Sequence, residues 1–136
     1  MERLLVLLTA IAGLSKDIHY NSFGDYFYSD HLLMDRIYDG LYDLVDEIQE
    51  KYFMYNNLGA VSSKSVLSMA ASIIDDNQTV EEKMVSLRDF MKEAIYVADD
   101  TANRQTYDCG DNDLLGRIAS KLKTDVALLN RTIERK

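Results

Sequence analysis

No proline interrupts this chain of 136 residues, and that absence restricts the fold more than any motif does. Proline ends helices by removing an N–H donor and by clashing with the preceding turn, so a chain without it lets apolar periodicity run for many turns. Glycine is scarce, while Leu, Ala, Met, Lys, Glu and Asp are plentiful, and most of these favour helix. The expectation is an all-α fold. The length suits one domain, residues 1–136, with a substantial core.

The periodicity divides the chain into four long helices and a short connector. The first runs from Leu4 to about His19 and ends near Asn21, with Leu5, Leu8, Ala12, Ser15 and His19 on one stripe. Its opening, MERLLVLLTAIAGLSK, compares poorly with a secretory signal, because Glu2 cancels Arg3 and the apolar stretch is short. After a Ser22-Phe23-Gly24 turn, Asp25 is a plausible N-cap for a second helix running without interruption to about Tyr55. Asn56-Asn57-Leu58-Gly59 stops it, and Ser62 or Ser63 caps a short helix reaching about Ile74. Thr79-Val80-Glu81-Glu82 is a capping box opening a third helix to about Asn103, with Met84, Leu87, Met91, Ala94, Ile95 and Ala98 on its apolar face. Residues 107–112 read as a loop before a fourth helix carrying Leu114, Leu115, Ile118, Leu122, Val126, Leu129 and Ile133.

A formal charge of −8 repels a phosphate backbone and attracts cations. The lone Cys109 has no internal disulfide partner, which fits a reducing, cytoplasmic setting. No segment reaches the roughly 18 apolar residues of a membrane span.

Only two histidines occur, and both fall near acids. His31 and Asp35 stand one turn apart on the second helix, and Asp46 and Glu50 repeat that spacing. Imidazole mixed with carboxylate suits iron, manganese or zinc and does not suit copper(I). On a straight helix Asp35 and Asp46 are about 16 Å apart and within roughly 20° of one face, too far for one ion. A two-fold axis crossing antiparallel copies of the helix solves this, since it pairs residues whose numbers have a constant sum, as His31 with Glu50 and Asp35 with Asp46 do. The symmetry point lies between Gly40 and Leu41, where glycine allows close approach. A dimer would then hold two equivalent sites, each with His31 and Asp35 from one chain, Asp46 and Glu50 from the other, and His19 completing the histidine side.

The run His19-Tyr20-Asn21, then His31, Asp35, Leu41-Tyr42, Asp46-Glu47-Ile48 and Glu50 resembles the ferroxidase signature of the Dps miniferritins, including the spacing of the five ligands. The resemblance implies a ferritin-like four-helix bundle with a short helix in the crossover between the second and third long helices. It implies a hollow homo-dodecamer with iron sites at dimer interfaces, where ferrous iron is oxidised by hydrogen peroxide or oxygen and stored as ferric mineral. His19, His31, Asp35, Asp46 and Glu50 would be both the metal ligands and the catalytic residues. Asp111 and Asp113 resemble the acidic lining of the family's three-fold pores. Three departures stand out: Tyr20 where tryptophan is usual, Lys51 where arginine would clamp a carboxylate, and Lys123-Thr124-Asp125 in place of a His-Glu pattern.

Two rival readings remain. A carboxylate-bridged centre within one bundle would use Glu-x-x-His motifs, and none is present. A non-enzymatic helical scaffold would use its acids only for solubility and bind no stoichiometric iron. DNA binding is expected to be weak or absent, because the basic residues at the end of the chain are few.

Overall fold

The computed structural model describes residues 1–104 and 106–135, and every regular element among them is helical. Six α-helices follow in order: α1 (Glu2–Asn21), α2 (Phe27–Tyr38), α3 (Leu41–Ile48), α4 (Ser63–Ile73), α5 (Val80–Ala102) and α6 (Cys109–Glu134). Helix α3 continues directly into a π-helical segment, Gln49–Met54. The bundle consists of α1, α5, α6 and the α2–α3 pair, with α4 lying in the crossover. Ile11, Ile37, Leu41, Leu87 and Ile118, from five different helices, are fully buried in one shared core. Each such side chain contributes about 1.5–3 kcal/mol on burial.

Local chemistry sets the helix starts. Thr79 Oγ1 accepts the Glu82 N–H at 3.2 Å and Glu82 Oε2 accepts the Thr79 N–H at 3.4 Å, the reciprocal capping box expected for α5. Ser62 caps α4. Asp108 caps α6 through the Asp111 N–H at 2.8 Å, so residues 109–112, expected as loop, form the first turn of a helix. At the start of α2 the cap position belongs to Tyr26 and not to Asp25, and no side chain caps it.

Helix α1 does not have the single apolar stripe expected of it. Every residue from Leu4 to Ala12 is buried, because α1 is packed on two sides. Its inner face joins the main core, while Val6 and Ala10 meet Ala70 of α4 in a second cluster.

The main correction concerns the second long helix. It is broken at Asp39, which is extended (φ −60°, ψ 128°), and Gly40, which is left-handed (φ 80°, ψ −4°). Glycine adopts that conformation without the Cβ penalty other residues meet. Gly40 therefore serves to turn the chain between two helices, and the straight-helix separation of Asp35 and Asp46 does not apply. Farther along, Tyr55 N–H bonds to Glu50 O and Leu58 N–H to Phe53 O, the wider i to i−5 pattern of the π segment. The Gln49 side-chain amide exchanges two hydrogen bonds with the Val61 backbone, at 2.9 and 3.0 Å, and ties the crossover to this segment.

Candidate metal centre

His19 lies in the last turn of α1, and α2 packs against that end of α1 with His31 and Asp35 one turn apart. The two imidazole rings stack with centroids 3.6 Å apart and planes 25° from parallel. His19 Nδ1 is 3.1 Å from the His31 carbonyl oxygen, and His31 Nδ1 is 3.4 Å from the His19 carbonyl oxygen. Each Nδ1–H donates to the other residue's backbone, and these partners assign the tautomer in which Nε2 keeps its lone pair. Such an arrangement orients imidazole ligands for a cation.

Asp35 completes the group. Its Oδ1 lies 3.5 Å from His19 Nδ1, and His19, His31 and Asp35 each offer a ligand atom within 4.8 Å of the others. Ligands on one first-row ion stand roughly 3–4 Å apart given bond lengths near 2.1 Å, so a small closure would let all three share a cation. No other group of three or more His, Cys, Asp or Glu among the described residues is so placed.

The Lys16 ammonium, one turn earlier on α1, is 3.3 Å from Asp35 Oδ1 and 4.2 Å above the centre of the Tyr38 ring. Sequence reasoning missed it, although its position three residues before His19 puts it on the same helix face.

Asp46 and Glu50 stand apart from this group. Neither side chain has a hydrogen-bond or ion-pair partner among the described residues, and they line different clefts. Asp46 borders a groove of about 230 Å³ with Thr9, Tyr42 and Leu67. Glu50 borders a cleft of about 420 Å³ with Lys51, Asp108, Asp111 and Asp113. One chain therefore assembles the histidine half of the expected ligand set and leaves the acidic half open.

Between them, Glu47 is held in place. Arg117 of α6 clamps it with two bonds of 2.8 and 3.0 Å, and Lys51 adds a third of 2.6 Å. The bidentate clamp that Lys51 cannot make thus comes from another helix. Arg117 foremost and then Lys51 pull the Glu47 carboxyl down to about 2. The proposed pore residues differ from one another. Asp111 is buried, and burial first, then the charge of Asp108, pushes its carboxyl up. Asp113 is paired with Arg117 at 3.1 Å. Asp125, in the divergent C-terminal pattern, is buried beside Lys121 at 2.8 Å.

Among the described residues no helix is long and apolar enough to cross a membrane. No family model matches the chain, and no curated protein matches it in sequence. In three dimensions it is similar to the X-ray structure of Dps from Thermosynechococcus elongatus, with a TM-score of 0.85 over 97% of this chain and 86% of that one at 18% sequence identity. The similarity at that identity is one of fold, and the fold of this chain is that of a Dps-type miniferritin.

Proposed function

We propose that this protein binds ferrous iron, oxidises it with hydrogen peroxide or oxygen, and stores the ferric product, so protecting its surroundings from oxidative damage. The observation that carries this reading is the stacked His19–His31 pair beside Asp35, with both Nδ1 atoms tied to backbone and neither Nε2 atom hydrogen-bonded among the described residues. In a Dps-like bundle that is the place for an iron site, and iron is the substrate.

On this reading the labour divides among the five residues. His19 and His31 hold the ion through Nε2, and Asp35 balances its charge. Asp46 and Glu50 of a partner subunit, unpaired among the described residues of one chain, complete the ligand set across a two-fold axis. The ligand set leaves room for an oxidant. Two ferrous ions give one electron each, and with two protons they reduce one peroxide to two waters. The assembly is a homo-oligomer built from two-fold dimers, a dodecamer by analogy with the fold, and it works in the cytoplasm. Asp111 and Asp113, near the start of α6, are assigned to the iron-entry pore on their resemblance to the family's acidic segment. DNA, if protected, is protected chemically, since the net charge of −8 opposes tight coating.

The test follows ferric absorbance after ferrous iron is added with oxygen or peroxide, beside a His19→Ala/His31→Ala variant and protein-free buffer. Wild type should oxidise iron faster than both. A wild-type rate equal to buffer under both oxidants would refute the proposal. The scaffold reading has one observation in its favour, the Lys16 ammonium already neutralising Asp35, and it requires that no stoichiometric iron be bound.

A further inference from the structure

The break in the second long helix removes two backbone bonds. In a continuous helix the carbonyls of Arg36 and Ile37 would accept the N–H groups of Gly40 and Leu41, and neither bond is made. Lys121 of α6 replaces both donors. Its ammonium donates to Arg36 O at 3.4 Å, Ile37 O at 3.1 Å and Asp125 Oδ2 at 2.8 Å, so its three donors meet three acceptors. The Asp125 side chain is only 3% exposed and supplies the counter-charge. At the other end of α2, Arg135, the C-cap residue that follows α6, pairs with the buried Asp30 and stacks 3.9 Å over Tyr26. Helix α2 is thus gripped at both ends by cations, Lys121 of α6 and Arg135 just beyond its end.

Resting on the metal-centre reading above, we propose that Lys121, held by Asp125, is a positioning residue for the iron site. The carbonyls it holds belong to the two residues after Asp35, in the same helical turn. Lys121 therefore fixes how α2 ends and where Asp35 and His31 sit against His19 on α1. Without those donors the unpaired carbonyls regain partners by straightening the helix through Gly40, which glycine permits. Straightening swings α2 on α1 and opens the imidazole stack. Lys121 touches no ligand and acts only through the backbone.

The experiment titrates the full-length protein with Co(II) and reads its visible absorption, which needs no oxidation chemistry. Wild type should bind with a spectrum lost in His19→Ala/His31→Ala. Lys121→Met/Asp125→Asn removes the donors without stranding a buried carboxylate, and should bind Co(II) about tenfold more weakly, as outer-shell substitutions do. Lys121→Arg keeps carbonyl donors and should restore the wild-type affinity and spectrum. Wild-type Co(II) binding by the folded double variant overturns the positioning role. If the double variant does not fold, Gly40→Ala decides. It keeps Lys121 but strains the left-handed turn, in open space for the new methyl, so weakened Co(II) binding supports the proposal and unchanged binding overturns it. A wild-type protein with no histidine-dependent Co(II) binding overturns the metal-centre reading itself, and the positioning role with it.

Discussion

Replacing Lys16 by methionine is expected to tighten metal binding, although Lys16 is a neighbour of the site and not one of its ligands. The change keeps most of the aliphatic stem over Tyr38 and removes the ammonium that lies 3.3 Å from Asp35 Oδ1. At an effective dielectric of about 20 that separation corresponds to about 5 kcal/mol of attraction. The side chains are 29% and 49% exposed, and solvent screening brings such pairs down to about 0.2–1 kcal/mol. A divalent ion must displace this pairing and then endure the ammonium at about 5 Å, a repulsion of about 1.7 kcal/mol even in a water-like dielectric, less if the flexible side chain swings away. The two effects together give about 1–2 kcal/mol, or about 5–30-fold tighter binding for Lys16→Met. Calorimetric titration with Co(II) at low ionic strength measures it, and the advantage should shrink in about 1 M salt, where screening acts within about 3 Å. Equal or weaker binding by Lys16→Met would refute the reasoning and show that the ammonium orients Asp35 for the ion.

Two further outcomes test other parts of the account. If sites are shared across a two-fold axis, a His31→Ala/Asp35→Ala protein and an Asp46→Ala/Glu50→Ala protein should each oxidise iron near background, while refolded mixtures regain part of the wild-type rate because a heterodimer carries one intact site. Verified mixing without recovery would count against sharing. The Glu47 carboxyl is lowered from 4.5 to about 2 in the folded chain, so its stabilisation is full above pH 4.5 and is lost as pH falls toward 2. Acid titration of thermal stability should therefore show a steeper loss over that window for wild type than for Glu47→Gln, and equal slopes would mean that the Arg117 clamp adds nothing.

Where the sequence succeeded, the signals were local. The capping box at Thr79, the serine cap at Ser62 and the 3.6-residue periodicity of α5 and α6 are decided within a few residues, and the structure repeats them. The grouping of His19, His31 and Asp35 was also legible, because two histidines and a helical repeat leave few arrangements. What escaped was decided far away in the chain. Gly40 in a periodic stretch is compatible with a helix or with a turn, and the carbonyls freed by the turn are satisfied by Lys121, about eighty residues on. The clamp on Glu47 depends in the same way on Arg117. The π segment gave no signal at all, since its residues are ordinary helix formers and its wider turn accompanies the Gln49 bonds to Val61.

The double burial of α1 bears on how the protein comes to be made. Leu4 to Ala12 leaves the ribosome before every helix that covers it, namely α2 and α3 and then α4 and α5. During synthesis the nascent chain must carry part of this run uncovered until α5 has emerged, and at about 5–20 residues per second that takes several seconds. The stretch that most resembles an export leader is therefore the one most exposed to chaperones and to self-association before folding. A copy truncated before α5 would keep that hazard indefinitely, whereas a copy permuted to begin at α4 would have α4 and α5 ready when α1 appeared.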